Sequence, residues 1–170
     1  TAMRGPSLTL CETVPRGSKV SIGSVDRCAQ EVLGMTRTLL LVLRNMWGVD
    51  VQVDMEIIPR AVRHASWLLN CFQTRKRNKG NTAFHALHGR DYLGFMFRFG
   101  QPVLAHVADV SQPGQPELQD MWTSEVWLGK SHETDANVLM TQAGVMLART
   151  CREALEFNEQ SRQLLLRSPE

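Results

Sequence analysis

The apolar period of this chain changes once, near Gly100, from 3.6 residues to 2, and that change narrows the possible folds more than any other feature. From Ser24 to about Trp47 the stripe runs through Val25, Cys28, Ala29, Val32, Thr36, Leu39, Leu40, Leu43, Met46 and Trp47, which predicts an amphipathic helix ended by Gly48. A second helix is expected from about Ile58 to Thr74. Pro59 suits its first turn, and Ala61, Val62, Ala65, Leu68, Leu69 and Phe72 form its buried face. "TAFHALHG" reads as a short helix with Thr82 as cap and Gly89 as stop. After "FRFGQP" four strands are expected: "VLAHVA" (103–108), "SEVWLG" (124–129), "NVLM" (137–140) and "GVMLAR" (144–149), with a tight turn at "TQAG". "SQPGQPELQD" (111–120) is a loop, "SLTLCETV" (7–14) alternates well enough for one strand, and a final helix is expected at about 153–166. The predicted class is α+β, with a boundary near Gly100.

Composition excludes little beyond the extremes. With 170 residues, 43% apolar and 21% charged, the chain can bury a real core. Its longest apolar run, Leu39–Leu43, is far too short to span a bilayer, and the opening "TAMRGPSLTL" lacks the apolar centre of a secretory signal, so no membrane partner is expected. The start at Thr1 rather than Met suggests a fragment or a processed product. Cys11, Cys28, Cys71 and Cys151 are scattered, and together with His85 and His88 they make no zinc-ligand spacing. Free thiols in a reducing compartment, nucleus or cytoplasm, are the expected state.

The charge distribution says more than its sum of +2. Residues 1–100 hold 14 Lys/Arg against 7 Asp/Glu, and residues 101–170 hold 5 against 10, a split of +7 and −5. Such a division predicts that the first part meets a polyanion. Arg75, Lys76, Arg77 and Lys79 are the densest basic run. Arg60 and Arg63 precede it on the same helix as a possible extension of the patch, and phosphate contact is the chemistry they offer. The same run also fits a nuclear-localisation signal. Asp26, in the first turn of the first helix, has an ordinary role in offsetting the positive end of the helix dipole. His64, near Arg60 and Arg63, is expected on a partly exposed polar face. Trp47, Trp67, Trp122 and Trp127 are expected as core anchors rather than base-stacking platforms.

Five segments in order carry a resemblance: "GSVDRCAQEVLGMTRTL", "RHASWLLNCFQ", "NTAFHALHGRDY", "FRFGQPVLAH" and "VWLGKS". Together they resemble the integrase of copia-type retrotransposon Pol polyproteins, over roughly residues 10–152. The resemblance implies the C-terminal part of an RNase H-like catalytic core at 1–99, an SH3-like β domain at 100–152 and a C-terminal helix and tail at 153–170. It implies DNA as partner, with further copies of the chain or other polyprotein segments as possible companions. The family chemistry joins element DNA to host DNA on two divalent ions, Mg²⁺ or Mn²⁺, held by two aspartates and a glutamate.

Residue by residue, the resemblance puts Asp26 where the family has its glutamate, Arg27 on the arginine that follows it and Gly23 on the family glycine. Ile22 stands where an asparagine is usual. Asp26 keeps the charge but is one methylene shorter, and a displacement of about 1 Å can cost on the order of 100-fold in rate. Before Asp26 the only acid is Glu12, so the two aspartates have no counterpart. Asp26 would be a metal ligand only if upstream aspartates were supplied, and no cofactor is expected for this chain alone. The expected function is a catalytically incomplete integrase fragment with residual non-specific DNA binding through Arg27, Arg60, Arg63, Arg75, Lys76, Arg77 and Lys79. The alternative is a protein–protein interaction module built on the SH3-like domain. A core deprived of its central strands should also leave Leu39, Leu43, Leu68 and Leu69 partly exposed.

Overall fold

In the computed structural model the chain is a mixed α+β protein, described over residues 23–76, 79–106, 122–154 and 156–167. The expected strand at 7–14, Cys11, Arg77 and the loop at 111–120 lie outside the described residues. Helix α1 spans Gly23–Trp47 and α2 spans Ile57–Phe72. Only the later part of the stripe read from α1 packs: Thr36, Leu39 and Leu43 are buried and Val32, Leu40 and Trp47 half-buried, whereas Val25, Cys28, Ala29 and Met46 are exposed. Gly48, at φ 61°, ends the helix by donating its N–H to the Arg44 carbonyl at 3.0 Å. In α2 the small side chains of Ala61 and Ala65 are fully buried between larger neighbours. Helix α3 covers Ala83–His88; Thr82 Oγ1 accepts from the His85 N–H at 3.0 Å, and Gly89 closes it at φ 70°.

The second half is a five-stranded antiparallel sheet: β1 Pro102–His106, β2 Trp122–Lys130, β3 Asn137–Thr141, β4 Gly144–Ala148 and β5 Cys151–Glu153. Its order is β4-β3-β2-β1-β5. "TQAG" makes the two-residue hairpin between β3 and β4, where Thr141 pairs with Gly144. Between Trp127 and Gly129 the register of β2 against β3 shifts, and Gly129 takes φ 134° there. Such a bulge bends a strand and increases its twist. Trp127 sends its indole N–H to Asn137 Oδ1 at 3.0 Å, so its polar edge is satisfied inside the core.

The C-terminal helix is shorter than expected. Residues 151–153 pair with the free edge of β1 as β5, with Val103 opposite Glu153, and α4 begins only at Glu159. Asn158 starts that helix, its Oδ1 accepting from the Ser161 N–H at 2.8 Å, while nothing at 153 offers a comparable cap.

The expectation that Leu39 and Leu43 would be left partly exposed is overturned: their exposures are 9% and 0%. Val126, Leu128 and Met140 of the sheet and Leu164 and Leu165 of α4 close over them in one core cluster with Ile57, Ala61 and Ala65. Leu68 and Leu69 are half-buried, as expected. A second cluster on the opposite face of the sheet gathers Val103, Ala105, Trp127, Leu139 and Ala148. The larger core therefore draws on residues before and after Gly100. That glycine sits directly beneath Leu43, where a Cβ would come within 2.1 Å of Leu43 Cδ2.

Candidate nucleic-acid interface

The described ends of the basic run are clasped together by backbone contacts. Thr74 and Thr82 form an isolated antiparallel bridge, and the Arg75 N–H donates to the Asn81 carbonyl at 3.3 Å. Within that clasp, the Lys79 N–H reaches the Lys76 carbonyl and the Gly80 N–H reaches the Arg75 carbonyl, both at 3.1 Å. This pair of bonds is the Schellman arrangement, whose left-handed position is usually glycine. Here that position is Lys79, at φ 54°. A non-glycine residue there costs about 1–2 kcal/mol, so a cation is being carried at a conformational cost.

This turn lies against the N-terminal half of α1. Glu31 receives Arg75 at 3.2 Å and Arg27, one helical turn before it, at 3.5 Å. Arg75 also donates to Gln73 Oε1 at 3.0 Å. The network gathers Arg27, Arg75 and the exposed Lys76 and Lys79 into one basic patch beside the start of α1, where exposed Asp26 stands. Glu31 was not singled out from the sequence, although its i, i+4 spacing from Arg27 is a visible signal.

Arg60 and Arg63 are not part of that patch. They lie near the opposite end of α2, and at about 1.5 Å per residue the 12 steps from Arg60 to Phe72 separate the two by about 18 Å. Instead they line a groove of about 500 Å³ with Lys130 at the end of β2 and the apolar side chains Leu128, Val138, Val145 and Leu147. Lys130 is a partner the sequence alone did not connect to them.

His64 overturns its expected place on a partly exposed polar face. It is 6% exposed, nearly parallel to Phe99 and Trp67 at 5.5 and 5.8 Å, with Trp127 edge-on at 5.2 Å. Nδ1 is buried with no hydrogen-bond partner among the described residues. Gly129, in the bulge, lets the ring approach: a Cβ there would meet Nδ1 at 2.6 Å. Burial pulls the imidazole pKa down to about 4, so the ring is neutral at physiological pH and serves as an aromatic plate. The buried thiol of Cys71 is pushed up to about 11, by burial first and then by the Asp135 charge, which leaves it protonated and a poor nucleophile.

Asp26 does not assemble a metal centre with its neighbours. Among the described residues no three Asp, Glu, His or Cys side chains converge. The other acid of α1, Glu31, is engaged by two arginines. One exposed carboxylate does not meet the demand of Mg²⁺ for octahedral oxygen ligands, so the described donors do not fit the two-metal group. His85 and His88, three apart on α3, also diverge in role: His85 Nδ1 lies 2.8 Å from Asp91 Oδ1, while His88 lies against Phe84 with ring centroids 4.3 Å apart and planes tilted by 36°. Among the described residues no helix is long and apolar enough to cross a membrane. Comparison with protein-family models, with curated proteins and with solved structures gave no match.

Proposed function

We propose that this chain is a portion of a copia-type retrotransposon integrase whose own biochemistry is salt-sensitive, sequence-independent binding of DNA. The observation that carries the reading is the Arg27–Glu31–Arg75 network, which sets the basic turn beside the helix start where the family resemblance places its catalytic carboxylate. Cations next to that address are what a DNA-joining enzyme needs for holding its substrate backbone. The finer fold reading has support of its own kind. A long, bulged second strand at the centre of a four-strand meander, with a short fifth strand returning to the first, suits an SH3-like barrel. Helices α1 and α2 suit the closing helices of an RNase H-like core. With one exposed carboxylate and no described partner for it, strand transfer by this chain alone is not part of the reading.

The test is fluorescence anisotropy of a labelled 20-base-pair duplex against the whole chain. Binding should weaken steeply with salt and should be lost when Arg75, Lys76 and Lys79 are all replaced by Glu. Glu31→Gln should strengthen it by releasing Arg27 and Arg75. An affinity indifferent to salt would sink the reading. A second reading, an interaction module built on the β domain, is favoured by one observation: the cationic groove beside β4, the outermost of the described strands on that side of the sheet.

A further inference from the structure

The groove beneath Arg60 and Arg63 has two walls of different character. One is α2, which presents both guanidinium groups three residues apart. The other is the β3–β4 hairpin, which presents Val145 and Leu147 at 38% and 57% exposure. These two side chains lie on the helix-facing side of the sheet, since they pair with Met140 and Val138 of the main core. They extend beyond what the helices cover. Lys130 closes the groove at the end of β2, its Nζ donating to the Asp135 carbonyl at 3.2 Å. Arg60, Arg63 and Lys130 form no ion pair among the described residues, and Glu133 is the one acid lining the groove.

The hairpin's outer strand adds a second recognition element. Strand β4 pairs with β3 on one side, and no described strand pairs with its other side. An unpaired edge offers a row of N–H and C=O groups to an extended peptide, and side-chain pockets alongside decide which peptide is taken. On such an added strand, alternate side chains point to one face, about 6.6 Å apart. A glutamate at each of those positions would lay its two methylenes over Val145 and Leu147. Its carboxylate would then rise toward the guanidinium forks of α2, which hold carboxylates bidentately.

We propose that this groove binds an extended acidic peptide segment of a partner protein, added as a sixth strand on β4, with carboxylates at alternate positions held by Arg60 and Arg63. The inference rests on the interaction-module reading and names its ligand class. Net charge complementarity selects an anion, the apolar floor disfavours a bare phosphate chain, and the edge strand selects a peptide backbone.

The probe is a fluorescein-labelled nine-residue peptide alternating Glu and Val, titrated against the whole chain. Controls are the Lys–Val and Gln–Val analogues and a Glu–Val peptide N-methylated at alternate residues on one edge. Expected are saturable binding of Glu–Val, none of Lys–Val, and at least tenfold weakening both by N-methylation and by Arg60→Glu with Arg63→Glu. Circular dichroism checks that the variant folds; if it does not, Arg60→Gln with Arg63→Gln replaces it. Equal binding of Gln–Val would overturn the acidic ligand while leaving the module reading intact. Insensitivity to N-methylation would overturn strand addition. Silence of all the peptides would overturn both readings, and binding of the labelled duplex that is lost in the Arg60 and Arg63 variant but kept when Arg75, Lys76 and Lys79 are replaced would assign the groove to nucleic acid instead.

Discussion

Replacing His64 by Phe should remove a specific pH dependence from the stability of this protein. The imidazole titrates near 6.5 when free and near 4 in the fold. Because the folded pKa is the lower one, the unfolded chain binds the proton more tightly, and acid favours unfolding. The stability tied to neutral His64 is fully present above pH 6.5 and drains away as pH falls toward 4. A difference of 2.5 pKa units corresponds to about 3 kcal/mol in full, at 1.36 kcal/mol per unit. Between pH 7.5 and pH 5 the loss is about 2 kcal/mol, most of the total. Urea unfolding followed by tryptophan fluorescence at a series of pH values measures it directly. The wild-type midpoint should fall more steeply than that of His64→Phe, whose ring keeps the stack on Phe99 and Trp67 without the titrating nitrogen. Parallel curves for the two proteins would refute the reasoning, as would an NMR titration placing His64 near its free value.

Further outcomes rest on other contacts. If the four described cations of the basic patch each neutralise one phosphate, log affinity for duplex DNA should fall with log salt at a slope of about −3.6. The chain should then bind on the order of 100-fold more weakly at 200 mM than at 50 mM salt, and Lys76→Gln with Lys79→Gln should roughly halve the slope. Gly129→Ala should destabilise by about 2–5 kcal/mol, from the clash with His64 and the left-handed backbone, and His64→Ala in the same chain should recover part of that loss in a double-mutant cycle. Leu43→Ala, at a fully buried site between the helices and α4, should cost about 3–5 kcal/mol by thermal melting. Residues 1–100 alone should show no cooperative melt, because the sheet and α4 supply five of the twelve buried residues in that core cluster.

The elements with strong local signals were legible in the sequence. The span of α1, the Thr82 and Gly89 caps and the "TQAG" hairpin needed only periodicity and turn chemistry, and each lies within a residue or two of its expected place; the apolar first turns of α1, Val25, Cys28 and Ala29, are exposed because no described element packs over them. What was not legible depends on contacts between distant residues. Strand β5 exists because β1 offers a free edge to residues 151–153, and nothing local in "CRE" announces it. His64 has helical neighbours of high polarity, Arg60 and Arg63, so its spacing suggests an outward face. Its burial depends on Phe99, Trp127 and the bulge at Gly129, all from beyond α2. The same limit applies to the candidate site. The basic run was plain, but its docking on α1 through Glu31 and the separation of Arg60 and Arg63 from it come only from the fold.

The core that crosses Gly100 bears on how such a gene can be rearranged. A crossover that joined codons 1–99 to a foreign second half would leave Leu39 and Leu43 facing side chains that never coevolved with them. Gly100 itself is tied to both lineages, because it has room only for hydrogen beneath Leu43 while its N–H holds the Trp127 carbonyl at 2.8 Å. Shuffling that keeps the two halves together should therefore outlast shuffling that parts them, and in its inheritance the chain should behave as a single unit.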